Sequence, residues 1–197
     1  MINIFALASL VLATLHMGVA PASAHGYVSQ PPSRQAFCRN DRISGCGDVQ
    51  WEPQSVEAPK GSFKCNGDGP RFPQLNDNDL WADYYTIVPA ADTLLSFTWT
   101  LTAAHRTTTW EYFVQTDDNK MIASFDDGGA MPPTTVVHHV DLSGYTGRQT
   151  ILARWNIADT INAFYACVDL DISADNIATV DADAAAPQIP LARPELK

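Results

Sequence analysis

The chain has 197 residues, of which 46% are hydrophobic, and a formal net charge of −10. This length suits one domain with a proper hydrophobic core. An acidic chain has no electrostatic reason to bind nucleic acid, which needs basic patches, whereas a neutral polymer such as a polysaccharide stays open as a partner.

Residues 1–24 predict a secretory signal peptide. They are mostly apolar, carry no charged side chain and end in Ala22-Ser23-Ala24. Small residues at positions −3 and −1 of a cut are what signal peptidase accepts, so we expect cleavage before His25. The apolar run is interrupted, and no second hydrophobic span follows, which argues against a membrane anchor. We therefore expect a secreted, extracellular protein.

Four cysteines follow this segment, at Cys38, Cys46, Cys65 and Cys167. In a protein that leaves the cytosol they predict two disulfides, for which three pairings can be drawn. Cys38 and Cys46 are close enough in sequence to close a short loop, and that pairing would leave Cys65 with Cys167. A zinc site is the alternative, but the sequence has no CxxC pair.

Residues 47–89 break the β pattern of the rest of the chain. Pro, Gly, Asn and Asp dominate this segment, and an irregular run that long is usually functional. We expect a long loop insertion with short helices inside it, for example near residues 78–85.

The chain after this insertion predicts short strands. In residues 95–101, Leu, Phe, Trp and Leu alternate with Ser and Thr, which is the period of a half-buried strand. Further β-rich runs lie at residues 110–114, 135–140, 150–156 and 164–172. Turn signals occur at residues 127–129 and 143–144. Short strands at this spacing favour a mainly β fold, a two-sheet sandwich.

Composition then shifts to Ala, Asp and Pro, so residues 173–197 are predicted to form a flexible tail or the stub of a linker. The chain thus divides into a signal peptide at 1–24, one domain at 25–172 and this tail.

Two adjacent histidines, His138 and His139, lie in one of the β-rich runs. Side chains alternate along a strand, so the two rings should point to opposite faces and make a poor joint chelate. We expect at least one of them to be structural.

His25 and His105 are the candidate metal ligands. Cleavage before His25 would free an α-amino group, which together with Nδ1 of the same residue can close a six-membered ring around a metal. His105 follows a predicted strand, near its end, and would add a third nitrogen, a donor set that favours copper. The amine has a reference pKa of about 7.7–8.0, so the metal displaces its proton at modest cost. The alternatives are a histidine placed by accident after the cut and a surface histidine at a strand end.

Four segments together resemble one family. They are residues 25–28 (HGYV), 47–57 (GDVQWEPQSVE), 98–105 (TWTLTAAH) and 156–165 (NIADTINAFY). In this order and spacing they resemble the bacterial-type lytic polysaccharide monooxygenases, auxiliary activity family 10, formerly carbohydrate-binding module family 33. The resemblance implies an immunoglobulin-like or fibronectin-III-like sandwich whose insertion builds part of a flat binding face. It also implies one copper ion, held by the amine and Nδ1 of His25 and by Nε2 of His105.

The resemblance assigns further roles around this site. Phe164 matches the apolar ring on the axial side of copper, Ala103 the methyl that crowds the opposite side, and Glu57 a carboxylate near the bound oxygen species. Without the family match, these residues would be a strand-core aromatic, a small residue before a turn and a solvated charge. We expect Asp159 to order the site or a nearby turn, without a catalytic role.

Trp51 is the residue expected to touch the polymer. An exposed ring can stack on a sugar, and the neighbouring Glu52, Pro53 and Gln54 complete the contact surface. The alternative is that Trp51 anchors the loop to the core. The run WEPQSVE resembles chitin-active members of the family, which favours crystalline chitin, oxidised at C1, over cellulose.

The function implied is a copper-dependent monooxygenase, expected to be a monomer, that uses hydrogen peroxide or dioxygen with an external electron donor. Its rivals are a chitin-binding adhesion protein without catalysis and a copper carrier. A hydrolase would need two carboxylates at a set separation, and no motif favours one.

Overall fold

The computed structural model describes residues 24–41 and 43–173 of the chain. These residues form one α-helix, α1 (Arg34–Asp41), and nine strands: β1 (His25–Gln30), β2 (Glu57–Pro59), β3 (Thr86–Pro89), β4 (Leu94–Ala103), β5 (Thr107–Val114), β6 (Lys120–Ala130), β7 (Thr135–Asp141), β8 (Gly147–Ile157) and β9 (Asn162–Ser173). No helix among them is long and apolar enough to cross a membrane. The signal peptide, apart from Ala24, and residues 174–197 of the expected tail lie outside the described residues.

The strands form two sheets, which confirms the predicted β-sandwich of immunoglobulin-like type. One sheet has the order β1-β4-β7, and the other has the order β2-β9-β8-β5-β6, with β3 pairing parallel to the end of β9. Between the sheets lies a core rich in tryptophan, with Trp99, Trp110 and Trp155 all fully buried. Trp110 and Trp155 stack at 5.1 Å between ring centroids, which ties neighbouring strands of the larger sheet.

The middle of the larger sheet, formed by β8 and β9, is buried on both faces. Its outer face carries Leu152, Tyr165 and Cys167, which pack with Val49, Trp81 and other residues of the insertion in a second apolar cluster. A strand covered on both sides carries a nearly continuous apolar run instead of an alternating one. This explains the unbroken apolar runs at residues 151–153 of β8 and 163–168 of β9.

The insertion forms this second layer mostly with turns. It contains three short 3-10 segments, Gly47–Gln50, Pro53–Ser55 and Pro73–Asn76. The helix predicted near residues 78–85 is wrong, because the chain there makes successive turns. Local bonds favour turns at this point: the Asp79 amide donates to Asp77 Oδ1, and Trp81 Nε1 donates to the carbonyl of Gln74.

Two disulfides hold the insertion and its flank. Cys38 pairs with Cys46 across 8 residues, and Cys65 pairs with Cys167 across 102 residues. The pairing drawn from sequence proximity is confirmed, and the described residues hold no free cysteine that a zinc site would need.

A turn predicted at residues 127–129 is wrong, since these residues lie inside β6. Gly128 and Gly129 have φ values of 58° and 84°, in the left-handed region open to glycine. Thr107 pairs with Ala130 and Thr109 with Asp126, so β6 has extra residues against β5 and bulges there. The turn signal at residues 143–144 is confirmed.

The two histidines of β7 point to opposite faces, as predicted. His138 is 8% exposed in the core, where its ring stacks on Phe125 at 4.1 Å and its Nδ1 lies 2.8 Å from the hydroxyl of Tyr112. His139 is exposed and lies 2.9 Å from Ser96 Oγ. His138 is therefore a structural residue.

Candidate functional site

Strand pairing brings the two candidate ligands towards each other. In the β1–β4 register His25 lies opposite Ala103, two residues before His105. Gly26 lets β1 approach this closely, because a Cβ there would lie 2.5 Å from Leu101 Cδ2 and 3.1 Å from Trp155 Cζ3. This pairing places His25 at the end of the smaller sheet, next to the strand β4 that leads to His105.

An aromatic floor lies beneath His25. Phe164 is fully buried, with its ring centroid 6.3 Å from that of His25 and 5.0 Å from that of Trp155. Trp155 is held in turn by a 2.7 Å hydrogen bond from its Nε1 to Thr107 Oγ1. The floor is apolar and rigid, and Phe164 therefore offers no competing donor to a metal.

His105 is buried to 7% exposure, two residues after the end of β4. Its Nε2 lies 2.7 Å from Oδ1 of Asp159, an exposed residue on the turn between β8 and β9. Asp159 thus fixes the orientation of the His105 ring through the nitrogen that the family resemblance assigns to copper.

Glu57 lies at the edge of this site. It pairs with Phe164 in the β2–β9 register, and its exposed carboxylate accepts a 2.8 Å hydrogen bond from Asn162 Nδ2. The sequence analysis assigned no role to Asn162. Its position at the start of the last strand, two residues before Phe164, was the signal that could have found it.

The residues expected to touch the polymer occupy the neighbouring loop. Trp51 is 71% exposed, so the alternative that it anchors the loop to the core is wrong. Gln54 is half-buried, whereas the ring of Pro53 is buried and starts a 3-10 turn. Pro53 therefore shapes the loop and presents little surface of its own.

Glu52 forms an ion pair with Arg71, another residue that the sequence analysis missed. The hydrogen bond from Arg71 is the main cause that lowers the pKa of Glu52, and the charge of His25 lowers that pKa further. Glu52 thus lies within the electrostatic range of His25 and links the Trp51 loop to the histidine site.

Side chains alone do not form a metal cage here. Within residues 24–41 and 43–173, no three His, Cys, Asp or Glu side chains come together as metal ligands. A site based on His25 and His105 therefore depends on a third donor, which the α-amino group of a chain that starts at His25 would provide.

The sequence profile of the family described as "Lytic polysaccharide mono-oxygenase, cellulose-degrading" matches residues 25–170. The chain belongs to this family. One curated relative is the lytic chitin monooxygenase of Streptomyces ambofaciens. It is 54% identical to this chain over 154 residues, which cover 78% of this chain and 84% of that protein. The GlcNAc-binding protein A of Shewanella oneidensis is 37% identical over 177 residues, which cover 78% of this chain but 36% of that protein.

Solved structures agree with this membership. The lytic polysaccharide monooxygenase of Jonesia denitrificans matches with a TM-score of 0.67 and 45% identity, covering 76% of this chain and 100% of that one. The CBM33 of Bacillus amyloliquefaciens, solved in complex with Cu(I), matches with a TM-score of 0.63 and 25% identity, covering 76% of this chain and 100% of that one. The chain is thus an oxidoreductase of the polysaccharide monooxygenase class, and its sandwich is that of the family.

Proposed function

We propose that this monooxygenase is a secreted copper enzyme that breaks chitin by oxidation at C1. The observation that carries the proposal is the β1–β4 register. In this register His25 lies opposite Ala103, near the segment that leads to His105, and the apolar ring of Phe164 lies beneath it. A signal peptide that ends at Ala24 would make His25 the first residue of the secreted chain.

The donor set fits copper. His25 would contribute its α-amine and Nδ1, and His105 would contribute Nε2, giving three nitrogen donors of the kind that copper binds most tightly among divalent metals. Phe164 keeps other ligands off one side, because its buried ring carries no donor. Nε2 of His105 lies against Asp159 Oδ1, which orients the ring, so copper would take the place of Asp159 at this nitrogen.

Copper, when bound, supplies the one-electron redox chemistry by which hydrogen peroxide, or dioxygen with an external electron donor, oxidises a C–H bond. With hydrogen peroxide, one oxygen atom replaces the hydrogen on C1 as a hydroxyl, and the other leaves as water with that hydrogen. The glycosidic C–O bond at C1 then breaks, the leaving oxygen takes the hydroxyl proton, and the lactone left at C1 adds water to become an aldonic acid. Glu57 offers a carboxylate at the edge of the site that can hold and move a proton, and Asn162 Nδ2 orients this carboxylate by donating a hydrogen bond to it. Ala103, which lies opposite His25 in the β1–β4 register, would crowd the side of the site away from Phe164 with its methyl group.

Chitin is the proposed substrate because of the loop that carries Trp51. We name Trp51, Glu52, Gln54 and Glu57 the binding face. Its exposed ring can stack on a sugar, and its carboxylates and amide can bind hydroxyl and acetamido groups. The Streptomyces ambofaciens relative is named for chitin, whereas the family description names cellulose, so cellulose is the second candidate.

Product analysis tests the proposal. The copper-loaded chain starting at His25 is incubated with β-chitin or cellulose and ascorbate, and soluble products are measured by mass spectrometry. Aldonic-acid oligosaccharides from β-chitin alone are the expected result. Oxidised cello-oligosaccharides would transfer the proposal to cellulose, and binding without released products would favour the adhesion protein.

Copper affinity tests the ligand set separately. Calorimetry compares the chain that starts at His25 with a chain that carries one additional residue before it, and with the His105→Ala variant. Both changes remove a donor, so both should weaken copper binding by several orders of magnitude. Equal affinity of the extended chain would contradict the role of the amine.

A further inference from the structure

Glu52 and Arg71 join two parts of the insertion that are 19 residues apart in sequence. Arg71 Nη2 donates to Glu52 Oε1, and the guanidinium also lies over the ring of Phe72, 4.4 Å from its centroid. Phe72 is 6% exposed, so it provides a fixed surface on which the guanidinium rests. Contact with both a carboxylate and a ring restricts Arg71 more than an ordinary surface ion pair would.

A second bond connects the same two segments. Gln74 Nε2 donates to the carbonyl of Cys46, at the start of the turn that leads to Trp51. Gly47, Asp48, Arg71 and Gln74 are among the residues that line a cleft of about 370 Å³ between the segments. Gln74 thus holds the backbone of the Trp51 loop, while Arg71, together with a hydrogen bond from Ser55, holds the Glu52 carboxylate.

The charges around Glu52 make this contact specific. The pKa of Glu52 is lowered chiefly by its hydrogen bond from Arg71, and the pKa of Arg71 is raised by the same contact. Asp48 also attracts Arg71. Because Asp48 lies in the same loop as Glu52, this attraction keeps the guanidinium near that loop. Electrostatic attraction to His25, on the side of the proposed metal site, lowers the pKa of Glu52 as well.

We propose that Arg71 is a positioning residue of the binding face, which fixes the Glu52 carboxylate beside Trp51 as an acceptor for the hydroxyl and amide N–H groups of a chitin chain. This inference rests on the proposed function. A carboxylate has about four lone-pair sites, so one bond from Arg71 leaves acceptors for the sugar. A carboxylate already held in place binds more tightly than a mobile one, because less side-chain freedom is lost on binding.

The test measures how tightly the metal-free protein, which cannot oxidise the polymer, binds β-chitin. The dissociation constant is obtained from the depletion of the protein from solution. Arg71→Ala should weaken binding about fivefold, as expected for the loss of one partly exposed charge pair. Arg71→Lys should restore part of the loss, because lysine keeps the charge without the planar contact. Lys64→Ala is the matched control, since it breaks the exposed Lys64–Asp68 pair of the same insertion and should bind like the wild type.

A charge reversal separates positioning from simple cross-linking. The double variant Glu52→Arg, Arg71→Glu keeps an ion pair between the segments but puts a guanidinium where the sugar should meet a carboxylate. We expect its melting temperature to match the wild type while its chitin binding stays at least as weak as that of Arg71→Ala. Wild-type binding by the charge-reversed variant or by Arg71→Ala would overturn the inference. Failure of the wild type itself to bind chitin would instead overturn the proposed function.

Discussion

Trp51 carries a large aromatic surface that the rest of the molecule does not use. It is 71% exposed, so replacing it removes little packing from the fold. We expect Trp51→Ala to weaken binding to β-chitin at least about tenfold, the size typical of an aromatic anchor, with a melting temperature within about 2 °C of the wild type. Met121→Ala, at a 49% exposed position on β6, is the control and should bind normally. Unchanged binding by Trp51→Ala would remove this residue from the binding face.

His138 makes the stability of the fold depend on pH. Burial lowers the pKa of His138 from 6.5 to about 4, with Asp127 opposing and His139 adding to the shift. Below pH 6.5 the unfolded chain binds a proton at this ring and the folded chain does not, so stability falls as the pH drops towards 4. The expected loss is about 2–3 kcal/mol across that window.

Urea unfolding across this pH range measures the effect of His138. His138→Phe should lose stability less steeply on acidification than the wild type, although it is less stable at neutral pH because Tyr112 loses its acceptor. His139→Phe, at the exposed neighbouring position, should keep the wild-type slope. Parallel slopes for the wild type and His138→Phe would contradict a neutral buried ring.

Single residues differ in how much sequence alone predicts about them. His25, His105 and Trp51 stand out because a cleavage signal, a strand end and an irregular loop mark their positions. Arg71 and Asn162 do not, since their partners are 19 and 105 residues away and a polar contact between loops leaves no periodic pattern. The contacts of Arg71 and Asn162 are recognised only in the folded chain.

At the scale of elements, the insertion packs so closely on β9 that one glycine is needed. Gly67 has a φ of 70°, and a Cβ there would lie 2.5 Å from Tyr165 Cδ2 and 2.7 Å from Ala58 Cβ. We expect Gly67→Ala to reduce the free energy of unfolding by about 2–4 kcal/mol, through overpacking and backbone strain together. Denaturant unfolding is the measurement.

Gly61 is the matched control for Gly67. It also has a positive φ, 99°, but nothing lies within 4 Å of an added Cβ. Gly61→Ala should therefore cost about 1–2 kcal/mol, from strain alone. Equal costs at both glycines would show that the insertion yields easily around Tyr165.

Strands were predictable where one face is buried and the other is not. β4 follows the alternation seen in the sequence, with Phe97, Trp99 and Leu101 buried. β6 went unrecognised because it is an edge strand whose residues are all at least partly exposed and whose glycines signal a turn. β1 was also missed, because its polar residues were interpreted as the start of a mature chain and not as a paired strand.

For the whole molecule, the two disulfides should differ in their contribution to stability. Cys65–Cys167 closes a span of 102 residues and Cys38–Cys46 a span of 8. In the chain-entropy picture, replacing the first pair with alanine costs about 4–5 kcal/mol and replacing the second about 2–3 kcal/mol. Calorimetric or denaturant unfolding of the two double variants checks the order. A larger loss from the shorter loop would mean that packing, not chain entropy, dominates.

The sandwich and its long insertion followed from the sequence, but the second apolar layer did not. Val49, Leu75 and Trp81 are scattered among polar and turn residues, so no period marks them as a buried surface. Their burial depends on the outer face of the larger sheet, which only the assembled fold supplies.

β9 is the last strand of the described domain, and several other parts of the fold depend on it. It supplies Phe164 below His25, pairs with β2 and β3 as well as β8, and carries the cysteine that secures the insertion. A chain that extends only as far as β8 lacks all of these, so neither the aromatic floor beneath His25 nor the disulfide anchor of the insertion exists before residues 162–173 are present. Truncation before β9 would therefore remove the support of both the His25 end of the smaller sheet and the insertion, however complete the rest of the sandwich is.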